Sequence, residues 1–152
     1  MSDTRERLLA LETDGRFLFH GSPILVEKLI PKQPTNFDKK TGKEERHGDP
    51  CVAATNFAEI AIFRAIINPR NFPDKGYGSS FGMTSKENVR LTVKRRVWQQ
   101  RKGKMGYVYV FSLNGFSRFS RMEWRSECEV KPLEVITVSV EDLPKNIKVK
   151  WW

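Results

Sequence analysis

The sequence predicts a single α+β domain. Strand-type runs such as Phe17-Leu18-Phe19 and Tyr107-Val108-Tyr109-Val110-Phe111 are scattered along the chain. They are interrupted by about two helical patterns rather than alternating regularly with helices, which argues against a parallel βαβ architecture. The length, 152 residues, fits one domain that buries roughly 68–70% of its unfolded surface without help from a disulfide or metal.

Taken in order, Thr4 to Thr13 reads as a short helix, with Leu8, Leu9 and Leu11 set between charged residues. Asp14-Gly15 marks a turn, and Phe17 to Phe19 reads as the first strand, delivered onto His20-Gly21-Ser22-Pro23. Ile24 to Leu29 suits a turn of helix, after which Pro31 and Pro34 keep the chain extended because proline lacks the N–H that helices and inner strands need. Asn36 to Asp49 is dense in charge with no apolar face and reads as a solvated loop, His47 included. Pro50 to Thr55 reads as a short buried strand. Asn56 is placed to cap a helix from Phe57 to Ile67, which Asn68-Pro69 stops.

Residues 70–84 look like a loop with interleaved glycines and aromatics. Over Lys86 to Lys104 the alternation of Val89, Leu91 and Val93 favours a strand, while Val93, Val97 and Trp98 also suit a helix, so both readings stay open. Tyr107 to Phe111 is the clearest strand, and Glu127 to Lys131 and Glu134 to Val140 are two more, separated by Pro132.

Composition bounds the partners. Lys and Arg total 27 against 18 Asp and Glu, a net charge of +9. That excess suits a polyanion such as nucleic acid or a phosphorylated ligand, and equally a soluble basic surface. No apolar run approaches the ~20 residues of a membrane span, and the charged start from Met1 to Arg7 has no apolar segment behind it, so neither a membrane nor a secretory leader is expected. Cys51 and Cys128 lie far apart without a metal-ligand spacing, so no metal is expected and the chain reads as cytoplasmic with reduced thiols.

Three spaced pieces carry the chemistry: Leu18-Phe19-His20-Gly21-Ser22, the strand–helix unit from Val52 to Phe63, and Ser126-Glu127-Cys128-Glu129-Val130. In this order and spacing they resemble the ADP-ribosyltransferase superfamily, in particular its His–Tyr–Glu branch of diphtheria-toxin-like and poly(ADP-ribose)-polymerase-like domains, over residues 17–143. The resemblance implies two small, mostly antiparallel sheets around a central cleft with short flanking helices. It also implies NAD as substrate, with ADP-ribose passed to a protein or nucleic-acid acceptor and nicotinamide released.

Carried over residue by residue, His20 would hydrogen-bond a hydroxyl of the adenosine-side ribose. Gly21 would offer its backbone to the nicotinamide carboxamide, Ser22 would add a hydroxyl beside it, and Thr55 would belong to the same cofactor-binding set. Glu127 would be the catalytic carboxylate, stabilising positive charge on the ribose as nicotinamide leaves; Glu123 and Glu129 are its rivals. The strand that carries a tyrosine in that branch has Val52 and Ala53 here, so Phe63 or Tyr77 would have to supply the stacking face. Divergent members that modify nucleic acid also depart from the tyrosine, and Arg90, Lys94, Arg95, Arg96, Arg101 and Lys102 would suit such an acceptor.

Each residue also has a plainer reading. His20 taken alone is a strand-terminal histidine bonded to backbone, Phe63 is core, and Arg64 is a surface arginine within reach of a phosphate. Cys128 should point away from the two flanking glutamates into the core. Two further classes therefore stand beside the enzyme: a non-enzymatic nucleotide- or nucleic-acid-binding module, and a basic effector that works through a protein interface.

Overall fold

The computed structural model describes residues 3–33, 35–38, 43–46, 49–73, 76–86 and 88–151. Helix α1 (Asp3–Asp14) forms as the leucine spacing predicts. Strand β1 (Phe17–Ser22) does not stop at Phe19 but runs on through His20 and Gly21. The cause is its partner: β7 (Met105–Ser112) matches it antiparallel from Phe17 opposite Ser112 to Ser22 opposite Tyr107, which holds the whole triplet extended.

The expected helical turn after Pro23 does not form. The Tyr109 hydroxyl donates to the Ile24 carbonyl at 2.6 Å and accepts from the Val26 N–H at 2.8 Å, tying down groups a helix would pair internally. The charged stretch read as a loop contains an antiparallel ribbon, β2 (Thr35–Asp38) with β3 (Lys43–Arg46). His47 lies outside the described residues.

Strand β4 (Val52–Ala54) leads to helix α2 (Ala58–Ile66) as expected, but Asn56 is not its cap. The cap position falls on Phe57, and Glu12 of α1 accepts the Ala58 N–H at 2.6 Å in place of a local side chain. Residues 70–84 are not all loop. They contain β5 (Ser79–Met83), which pairs antiparallel with β6 (Val89–Lys94). The ambiguous basic stretch is both things in turn, β6 and then the short helix α3 (Arg95–Gln99).

The strand expected over Glu127 to Lys131 is displaced. The strand there is β9 (Trp124–Ser126), paired with β8 (Ser117–Arg118) and β4, and Val130 makes only a single bridge to Leu29. Strand β10 (Glu134–Ser139) falls where expected, and β11 (Lys148–Lys150) lies parallel beside β6. The described strands make sheets ordered β1-β7-β10, β4-β9-β8 and β11-β6-β5 plus the β2–β3 ribbon, an α+β arrangement of small, mostly antiparallel sheets with few helices.

Both faces of the β1-β7-β10 sheet are covered. Phe19, Val108 and Val110 pack with α2 in the main core, while Leu18, Tyr109 and Phe111 join Val52 and Ala54 in a second cluster. Seven of the nine α2 residues are buried, each large one contributing about 1.5–3 kcal/mol. The helix comes unusually close to the sheet. A Cβ at Gly21 would lie 1.8 Å from the Ala61 carbonyl oxygen, and one at Gly106 would lie 2.2 Å from that of Ala65, one helical turn on. Among the described residues no helix is long and apolar enough to cross a membrane.

Candidate functional site

A cleft opens where β1 and β4 part. Phe19 and Thr55 exchange both backbone hydrogen bonds at 2.8 Å, forming one antiparallel bridge between the two strands. One step further the strands separate. The Ala53 carbonyl accepts from His20 Nδ1 at 2.7 Å instead of from a backbone N–H. Because Phe19 turns its N–H and C=O away from β7, the alternation of an antiparallel ladder turns those of Gly21 the same way. Gly21 therefore turns a backbone donor and acceptor toward the opening that it lines.

Two adjoining cavities fill this opening. The smaller, about 130 Å³, is walled by Gly21, Thr55, Ala61 and Met122 among others. The larger, about 690 Å³, extends toward Lys28, Ile30 and Lys32, and its size is within the range of ligand-binding clefts. His20, Ala53, Arg64, Phe81 and Glu123 line both.

His20 is the hinge of the site. Burial pushes its pKa below the usual histidine value, the Ala53 carbonyl opposes that shift, and the Arg64 and Lys32 charges add to it. The ring is therefore neutral near pH 7. A carbonyl can only accept, so the proton sits on Nδ1 and Nε2 keeps a lone pair. The plain reading of His20, bonded to backbone, holds for one nitrogen and leaves the other to the cavity.

The carboxylate of the cleft is Glu123, not Glu127. Glu123 and Arg125 alternate onto one side of the chain; the two side chains are ion-paired and both line the larger cavity. The strand ends at Ser126, so this alternation stops before Glu127, which is exposed beyond it. Glu129 instead pairs with Lys28 on the surface, at 3.2 Å. Cys128 is exposed rather than in the core, for the same reason. Cys51 borders the larger cavity, and burial pushes its thiol pKa up, away from a reactive thiolate.

Several expected ligand contacts are used up by the fold. Gly21 lacks a Cβ because the α2 backbone needs the space, not because a ligand does. The Ser22 hydroxyl accepts the Ile24 N–H at 3.1 Å, and Ser22 is not among the residues lining the cavities. Thr55 lines the smaller cavity while its hydroxyl accepts the Phe57 N–H at 3.1 Å. Phe63 is only 1% exposed in the main core and cannot stack on a ligand. Tyr77 packs against Phe72, its hydroxyl donates to the Ile67 carbonyl at 3.0 Å, and it is not among the residues lining the two cavities.

Two other residues line both cavities: Phe81, which the sequence reading passed over, and Arg64, which it noted only as within reach of a phosphate. Phe81 of β5 presents an aromatic face to the cleft, and the Arg64 guanidinium lies over it, 4.9 Å from the ring centroid. Arg64 is open to the cavity yet surrounded by protein, and this burial lowers its pKa without discharging it. The pattern of α2 held the clue: with Phe63 turned into the core, the next residue faces elsewhere. Phe81 was hidden by glycine neighbours that disguised a strand as a loop.

The basic residues lie apart from the cleft. Leu91 and Val93 point into the main core, so Arg90 and Lys94 take the outer face of β6. Arg95 stacks on Trp151 at 4.0 Å and Arg101 on Trp98 at 4.0 Å. Arg96 and Lys102 are exposed nearby. Compared with known proteins, the chain matches no family model, no curated protein and no solved structure. Fold and cleft together define an α+β domain with a ligand-sized opening beside a neutral histidine.

Proposed function

We propose that this protein is an NAD-using ADP-ribosyltransferase-like enzyme. The observation that carries the reading is the edge of β1. The His20 imidazole, locked at Nδ1, offers a lone pair at Nε2 for a ribose hydroxyl, and the adjoining Gly21 offers a backbone donor and acceptor matched to a carboxamide. Phe81 supports the reading as the aromatic wall in place of the missing tyrosine. The carboxylate role moves from Glu127 to Glu123, which the ion pair with Arg125 orients at the cleft. As the bond between nicotinamide and ribose breaks, positive charge grows on the ribose, and a fixed carboxylate stabilises it.

Nicotinamide release from NAD tests this. The wild type should turn over, and Glu123→Gln should lose about 10²–10³-fold in rate, the usual cost of removing one electrostatic stabiliser. Glu127→Gln should behave as wild type. Failure of NAD both to raise the melting temperature and to release nicotinamide would sink the proposal.

A nucleic-acid acceptor is the second reading, and the outer face of β6 favours it. Arg90 and Lys94 there stand beside Lys148 and Lys150 of β11, with Arg95 stacked on Trp151 at its end. Basic side chains interleaved with exposed aromatics suit a single strand, whose phosphates and bases they can meet in turn.

A further inference from the structure

The larger cavity holds an imbalance of charge. Its described lining has four cationic side chains, Lys28, Lys32, Arg64 and Arg125, and one carboxylate, Glu123. Two of the cations are neutralised, Arg125 by Glu123 and Lys28 by Glu129. Among the described residues, no carboxylate comes within ion-pair reach of Lys32 or Arg64. With His20 neutral and Glu123 committed to Arg125, neither Lys32 nor Arg64 has a carboxylate of its own among the described residues.

Arg64 is held at its guanidinium and Lys32 at its backbone, and both residues are open to the cavity. Arg64 projects from α2 with its guanidinium laid on Phe81. Lys32 is fixed at the backbone by reciprocal hydrogen bonds with Cys51, both 2.9 Å. Each stands near enough to His20 for its charge to bear on the imidazole. Cations gathered on a concave wall focus a field that attracts an anion.

We propose that Lys32 and Arg64 form an anion subsite for a phosphate ester or diphosphate. The planar fork of Arg64 grips two oxygens of one phosphate, and Lys32 adds a point charge from the segment bridged to Cys51. As the diphosphate half of a bound NAD, the subsite rests on the reading above; as a site for a free phosphate ester, it does not.

Calorimetric titration of wild type, Lys32→Gln, Arg64→Gln and Arg64→Lys distinguishes the cases. The ligands are inorganic pyrophosphate, NAD and nicotinamide riboside, which has no phosphate. Pyrophosphate should bind wild type saturably, about 10-fold or more weaker in either glutamine variant, as expected for a lost charge-assisted hydrogen bond. Arg64→Lys, which keeps the charge and loses the fork, should fall between. The exposed Lys32 keeps the test valid even if replacing Arg64 disturbs packing around Phe81. Pyrophosphate that ignores the wild type, or binds both glutamine variants equally well, overturns the subsite. So does a loss of riboside binding that matches the loss of pyrophosphate. Pyrophosphate binding without NAD binding leaves the subsite standing and removes the NAD reading. NAD binding equal in all four proteins overturns the assignment of the subsite to the diphosphate of NAD.

Discussion

His20 links the chemistry of the cleft to pH. Unfolded, its imidazole takes up a proton near pH 6.5; folded, burial holds the pKa lower, with Arg64 and Lys32 adding to the effect. Between those two values the unfolded chain binds more protons than the folded one, so stability falls as pH drops below about 6.5 and is fully present above it. Unfolding midpoints of wild type and His20→Asn, compared between pH 7.5 and 5, should converge as the pH falls, because the variant lacks this titration. Parallel curves would mean that the ring is not held neutral. At this scale the sequence was half legible. It marked His20 and the Gly21 backbone, which edge the cleft, and ranked Glu127 ahead of Glu123 and Glu129, whereas Glu123 is the one that lines the cavities because the strand ends at Ser126.

At the scale of elements, α2 and β1 explain each other. The helix was readable because its apolar residues repeat over nearly three turns. The glycine at position 21 was readable as a close-approach residue, yet what approaches is the helix backbone. Gly21→Ala should therefore unfold or strongly destabilise the domain. The added methyl would meet a carbonyl oxygen at 1.8 Å, so the cost should reach or exceed the ~3 kcal/mol upper end of ordinary overpacking. A melting temperature within 2–3 degrees (roughly) of wild type would show that α2 can slide, and with it the cleft wall that carries Arg64. Two of the elements that escaped the sequence reading share one cause. Strands β9 and β11 are three residues each and owe their existence to distant partners, β4 for one and β6 for the other. A ladder of that kind leaves no periodic trace in its own few residues.

Across the whole molecule, the net charge of +9 includes two basic surfaces with different chemistry. The cleft holds a small, fixed excess around His20, while the outer face of β6 and β11 carries an open row of lysines and arginines on the other side of the sheet from Phe81. Composition gave the sign and size of the charge but not this division, because sheet pairing brings residues 90–96 beside 148–150. Binding at the two surfaces should therefore separate experimentally. A single-stranded oligonucleotide that neutralises four of these side chains should bind with a log K against log salt slope of about −3, from roughly −0.7 for each phosphate contact. The double variant Lys94→Glu, Arg96→Glu should weaken that binding and flatten the slope, whereas Glu123→Gln should leave both unchanged. If the oligonucleotide instead competed with pyrophosphate, and if removing Lys94 and Arg96 had no effect, the strand would be entering the cleft itself. The outer face would then be only a solvated surface, and an acceptor would have to reach Glu123 past Lys32.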